Sequence, residues 1–334
     1  MKSAFILVLG NTDMGAIPEI MPPGVDPELT KLIPPAEAEY LFYERPKMTD
    51  TVPMTPEGLP TPVIITKAAK RLVKFPVLVV RGGTYLVPSV PYVHVSDAVG
   101  GDFRKAPALP EFGEIIRRAK LLGEELSNSP IEEIVIGESV PGGRATARAV
   151  LLALGYDAGI PPGTPGSSQS PEDSVVIEGF RRVGIDAGSL QDNPLEALRQ
   201  FGDPAMAAVV GIALGFRKDV VLAGGTRMLA VSALLKALGE DLSRFMIATT
   251  EWVVGGRNSP FLKIAGEVGA ITYAADLKFS GDRLKGPEVC GEGHPWGDAG
   301  AGGATWLAIK GGFSPEDVSR RAEELYWRLV EMRG

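Results

Sequence analysis

The feature that most limits what this chain can fold into is a construction that occurs twice. Ile131-EEIVIGESVPGGRATARAVLLALG ends at Gly155, and Asp219-VVLAGGTRMLAVSALLKALG ends at Gly239. Each reads as a short buried strand, a loop with a Gly-Gly pair, and an Ala/Leu-rich helix closed by Ala-Leu-Gly. A strand that feeds a glycine loop and then a helix is a natural anion holder. The first backbone N–H groups of the helix are free, and the helix dipole places partial positive charge there. Glycine lets backbone approach a ligand closely. Two such loops on one sheet suit a ligand with a phosphate and a second polar group.

The rest of the chain repeats the alternation. Strands are expected at Phe5–Gly10, Phe75-PVLVV, Phe245-MIATTEWV and Ile271-TYAAD. Helices are expected at Phe112-GEIIRRAKLLGEELS, near 174–184 and 194–201, and, small and apolar, at Ala205–Gly215. Strands alternating with helices give an α/β fold, a parallel sheet with helices on both faces, and ligands bind at the carboxyl ends of its strands. Residues 1–72 hold one strand and proline-rich connections: Ile20-MPPGVDPE, Ile33-PPAEAEYLFYERP and Leu59-PTPVIITKAAKRL, the last with a helix start at Thr61-Pro62. The final helix starts at Ser314-Pro315, with Glu316 and Asp317 at its positive end. Its expected buried stripe is Val318, Ala322, Leu325, Leu329 and Val330.

Composition excludes more than it assigns. The 334 residues are 45% hydrophobic and carry a formal charge of −7, which argues against nucleic acid or an anionic membrane surface as partner. A single cysteine, Cys290, rules out an intrachain disulfide and points to a reducing, cytoplasmic setting. Met1-KSAFILVLG is read as a first strand rather than a signal peptide, and no stretch is apolar for long enough to span a bilayer. Scarce Asn (4) and Gln (3) fit a thermophile.

The loops carry candidate chemistry. Gly137-Glu-Ser-Val-Pro-Gly142-Gly143-Arg144 has P-loop glycine spacing but lacks the Lys-Ser/Thr step, so nucleoside triphosphate hydrolysis is not expected. No G-x-G-x-x-G follows a strand, which disfavours a dinucleotide site. The loops at Gly142, Gly143 and at Gly224, Gly225, Thr226 are candidate phosphate or ribose binders, or simply tight turns. Glu138 at a strand end faces the ligand crevice or caps a helix; Arg144 clamps a phosphate or makes a surface pair. Asn11 and Thr12 touch ligand or form a turn. Late in the chain, Glu288-VCGEGHPWGDAGAGGATWLAIKGG brings Glu292, His294 and Asp298 ahead of Gly300, Gly302 and Gly303, a plausible active-site wall. Metal binding by Cys290, Glu292 and His294 has no second cluster to complete it, a Cys290–His294 nucleophile pair is set aside for a buried thiol, and His94 is read as a strand histidine.

These loops, together with Leu9-GNTDMGAIPEI, Pro35-AEAEYL and Gly58-LPTPVIITKA, resemble the nicotinate-nucleotide–dimethylbenzimidazole phosphoribosyltransferase family, in its archaeal and cyanobacterial branch, over nearly the whole chain. The resemblance implies a large Rossmann-like α/β domain (73–312) and a smaller, mainly helical part from both chain ends (1–72 with 313–334). It implies a homodimer, glycine loops that hold the ribosyl 5′-phosphate, and transfer from nicotinate mononucleotide to a lower-ligand base of cobamides. Two other functions stay open: a non-catalytic nucleotide-binding protein on the same fold, and a phosphoribosyltransferase with another acceptor.

The family's general base is a glutamate in a late Gly-Glu-Gly-x-Gly-Ala segment. Aligned on Gly291-Glu292-Gly293, that base is Glu292. Aligned on Gly300-Ala301, it falls at Gly297, one place from Asp298, which is the rival. Glu138 matches the glutamate of the family's earlier glycine loop. Displacement at the ribose anomeric carbon needs no metal or redox cofactor, so none is expected.

Overall fold

The structure, a computed structural model, describes residues 2–18, 20–21, 26–49, 51–54, 58–159, 170–255, 260–279 and 299–331. Seven strands form one sheet: β1 (Ser3–Gly10), β2 (Val77–Gly83), β3 (Tyr92–His94), β4 (Glu133–Ser139), β5 (Asp219–Ala223), β6 (Phe245–Thr250) and β7 (Ile271–Ala275). Their order is β3-β2-β1-β4-β5-β6-β7, and every pairing is parallel. The chain runs outward from β1 to β3, then restarts beside β1 at β4. The carboxyl ends of β1 and β4 therefore flank a topological switch point, where helices diverge to opposite faces and leave a crevice.

The helices are α1 (Pro27–Phe42), α2 (Val63–Leu72), α3 (Phe112–Ser127), α4 (Gly143–Ala153), α5 (Pro171–Val183), α6 (Pro194–Phe201), α7 (Pro204–Gly215), α8 (Thr226–Ala237), α9 (Glu251–Val254), α10 (Phe261–Val268), α11 (Ala301–Lys310) and α12 (Pro315–Glu331). β1 shows how they divide. Its Ile6 and Val8 join a core with residues of α3, α4, α7, α8 and α10. Its Phe5, Leu7 and Leu9 join a second core with residues of α1, α2, α11 and α12. Burial on both faces is why its sequence is a continuous apolar run rather than an alternating one.

Both chain ends meet on that second face, where α2, α11 and α12 supply most of the helical core residues. β1, grouped with the wrapping N-terminal segment in the sequence, is nonetheless the strand between β2 and β4. Three local expectations change. Ile33-PPAEAEYLF is helix, not connection: Asp26 caps α1 and Pro27 opens it. Pro34 has no N–H to give the carbonyl of Thr30, and the side-chain amide of Asn11 donates to that carbonyl instead, at 3.2 Å. Trp252 and Val253 belong to the short α9 rather than to a strand. On α12, Ser314 and Asp317 form a reciprocal capping pair. Val318, Ala322, Leu325 and Leu329 are buried as expected, but Val330 is 38% exposed, because its position has rotated past the stripe. No helix among the described residues is long and apolar enough to cross a membrane.

Candidate functional site

Three helices begin around the carboxyl ends of β4, β5 and β6. The first glycine loop joins β4 to α4, the second joins β5 to α8, and α11 lies across the other face of the same strands. None of the three has a side-chain cap on its N-terminus. Residues near strand ends are thus surrounded by positive helix ends, the arrangement that favours an anionic ligand.

The glycines allow the close approach. A side chain on Gly303 would strike Val135 and Ala223, and one on Gly302 would strike the carbonyls of Ala248 and Thr249. Gly300, at φ +74°, faces Gly137 and Phe5. The run 300–303 therefore seats α11 directly on strand backbone. Ala299 precedes it in a left-handed conformation at φ +52°, unusual for a residue with a Cβ. Two contacts hold it there: its N–H donates to the Glu138 carbonyl at 2.9 Å, and its carbonyl accepts from the Thr66 hydroxyl at 2.6 Å.

Beneath the loops lies a buried charge cluster. Glu138, one residue from the end of β4, is fully buried and paired with Arg227 Nη1 at 2.8 Å. Arg227, in the first turn of α8, also donates to the Val140 carbonyl at 3.0 Å and lies 3.5 Å from Asp203. Asp203 caps α7 through the Met206 N–H and accepts from the Thr146 hydroxyl at 2.7 Å. The cluster links the starts of α4, α7 and α8. Two more hydroxyls, Ser139 at the end of β4 and Thr249 on β6, are buried with no hydrogen-bond partner among the described residues.

The sequence-predicted residues are distributed as follows. Glu138, Gly142, Gly143, Gly224, Gly225, Thr226, Gly300, Gly302 and Gly303 gather at this end of the sheet, with Gly224 packed over the Glu138 carboxylate. Gly142 and Gly143 are accounted for by packing, against Gly15 and the Arg227 guanidinium. Arg144 points outward and pairs with Glu172 at 3.1 Å. Asn11 is committed to protein: besides the Thr30 carbonyl it accepts from the Tyr85 N–H at 3.2 Å. The Thr12 hydroxyl accepts from the Met14 N–H. His94 sits on β3 beside Asp97, at 3.2 Å. Glu292, Asp298, Cys290 and His294 lie outside the described residues.

Sequence reasoning missed Arg227, Asp203, Thr146, Thr66, Ser139 and Thr249. Arg227 directly follows Gly224-Gly225-Thr226, so its proximity to a glycine loop was legible. Its partners come from other elements and were not.

No family model matches the chain. Among curated proteins, a UPF0284 protein of Thermococcus kodakarensis is 66% identical over 334 residues, covering 100% of each chain. One from Pyrococcus furiosus is 62% identical, covering 99% of this chain and 100% of its own. One from Sulfolobus acidocaldarius is 38% identical, covering 98% and 95%. Among solved structures, CobT from Thermus thermophilus superposes with a TM-score of 0.57 at 16% identity, over 97% of this chain and 83% of that one. A structure of the nicotinate-nucleotide-dimethylbenzimidazole phosphoribosyltransferase from the same organism gives 0.55 at 15%, over 97% and 82%. At these identities the likeness is one of fold.

Proposed function

The chain belongs to the UPF0284 family and has the CobT fold, and from that premise we propose that it is a phosphoribosyltransferase. In this reading ribose 5-phosphate moves from nicotinate mononucleotide to an aromatic nitrogen base of the dimethylbenzimidazole class. The observation that carries it is the convergence of uncapped helix N-termini on the strand ends beside Glu138.

The phosphate would lie on backbone N–H groups at helix starts, which supply charge and direction without a metal. An azole nitrogen attacks the ribose anomeric carbon as the bond to the nicotinate nitrogen breaks, with inversion there. Nicotinate leaves with the bonding pair, and a carboxylate takes the proton of the azole N–H. Such a base contributes about 10²–10⁴-fold, and fixing both reactants contributes through positioning.

Asp298 is the better candidate for that base. In the Gly-Glu-Gly-x-Gly-Ala pattern the residue after the glutamate is glycine. Ala299 holds a glycine-like φ of +52° immediately before the start of α11. Reading Ala299 as the counterpart of the glycine that follows the family's glutamate, we favour Asp298 over Glu292.

The test is chromatographic measurement of nicotinate released from nicotinate mononucleotide, with an acceptor panel led by 5,6-dimethylbenzimidazole. Acceptor-dependent release is expected. Asp298→Asn should lower kcat by about 10²–10⁴-fold with nucleotide binding retained, and Glu292→Gln should leave kcat nearly unchanged. No release with any base would refute the reading.

A further inference from the structure

The first glycine loop contains a cation where an anion-binding loop should be open. The Arg227 guanidinium reaches from α8 to the first turn of α4. A Cβ on Gly143 would fall on the guanidinium, so Gly143 makes room for it. The group is 4% exposed and is held by Glu138, Val140 and Asp203. A cation at a helix N-terminus is repelled by the dipole, and the two buried carboxylates, Glu138 and Asp203, offset that repulsion.

The backbone of α4 agrees. Its Gly143 N–H donates to the Val140 carbonyl and its Ala145 N–H to the Gly142 carbonyl, each at 3.3 Å. The first turns of α8 and α11 differ. The N–H groups of Thr226 and Met228, and of Ala301, Gly302 and Gly303, have no backbone acceptor among the described residues, whereas of the first three N–H groups of α4 only that of Arg144 lacks one. Thr249, fully buried and without a hydrogen-bond partner among those residues, lies on the strand next to the one that feeds α8.

We propose that Arg227 is a positioning residue, a counter-ion built into the chain, which closes the N-terminus of α4 to ligand phosphate and leaves the phosphate to α8 and α11. The inference rests on the phosphoribosyl reading only for the identity of the ligand. It assigns the two glycine loops different work: the first is locked by protein charge, the second opens to substrate.

The test titrates nicotinate mononucleotide, its phosphate-free riboside and inorganic phosphate into wild type, Arg227→Lys and Arg227→Ala by calorimetry. The ratio of the nucleotide and riboside dissociation constants reports the phosphate subsite alone. It should stay within about threefold of wild type in both variants, as should inorganic phosphate affinity. In turnover, Arg227→Ala should lower kcat more than it raises KM for nicotinate mononucleotide, and Arg227→Lys should recover part of kcat. A loss of about tenfold or more in the ratio, or in phosphate affinity, puts the guanidinium on the phosphate and overturns the proposal. If Arg227→Ala does not fold, Arg227→Lys carries the titration.

A stability cycle needs no ligand and no turnover. Gly143→Ala should destabilise the wild type and cost much less in the Arg227→Ala background; strictly additive losses would overturn the contact. Absence of nicotinate release from wild type would count against the transferase reading and leave this cycle standing.

Discussion

Gly302→Ala sets helix propensity against packing, and the two predict opposite signs. In an exposed helix the change favours folding by about 0.5–1 kcal/mol, through propensity and reduced freedom of the unfolded chain. Here the added methyl would lie 2.6 Å from the Ala248 carbonyl oxygen and closer still to that of Thr249. Relaxed contact needs about 3.5 Å, so α11 would have to retreat by about 1 Å. Backbone carbonyls of β6 cannot rotate aside as a flexible side chain could. Retreat also withdraws Gly303 from Val135 and Ala223, which it approaches because it has no side chain. Overpacking of this kind costs about 1–3 kcal/mol, and the net expectation after the propensity gain is a loss of about 1–2 kcal/mol. Gly266→Ala in α10 is the matched control, since a Cβ there would meet nothing within 4 Å. It should stabilise by about 0.5–1 kcal/mol. Guanidinium unfolding of both variants against wild type reads the difference. A stabilised Gly302→Ala would refute the close seating of α11 on the strand ends, and with it the geometry assigned to the site.

Burial, the largest influence on Lys67, pushes its ammonium from 10.5 down to about 8; Glu44 opposes the shift, while Arg71 and Lys70 add to it. Its folded value lies below its unfolded one, so the penalty for the buried charge is complete below pH 8 and fades as pH rises to 10.5. The Lys67 contribution to stability should therefore increase across that window by up to about 3 kcal/mol. The free-energy difference between wild type and Lys67→Met, measured at about pH 7.5 and about pH 10, should move in favour of wild type; no movement would show that Lys67 is not desolvated. On α12, Leu325→Ala should cost about 2–5 kcal/mol while Val330→Lys stays within about 0.5 kcal/mol, and equal losses would mean the buried stripe includes position 330.

What the sequence determined was most of what local order carries, the strand-to-helix change at Glu251–Val254 excepted. The apolar runs fixed strands, and the Gly-Gly pairs and Ala/Leu stretches fixed where loops end and helices begin. Parallel pairing then put each glycine loop at the carboxyl end of its strand, because a short strand–loop–helix unit leaves no other place for it; that those strands, β4 and β5, are neighbours came from the structure. The capping pair of α12 was equally local, three residues apart. Pro34 and Pro35 misled because proline signals a break unless some distant donor takes the carbonyl it strands, and that donor, Asn11, is 19 residues from Thr30.

Only the tertiary structure decided which loop residues are committed to protein contacts. Glycine spacing reads the same whether the missing side chain makes room for a phosphate or for a guanidinium. Gly143 makes room for Arg227, and Glu138 meets that cation 89 residues along the chain. Charge partners are selected by three-dimensional distance. The strands and helices that set that distance are joined by connections whose length says nothing about which side chains they bring within reach.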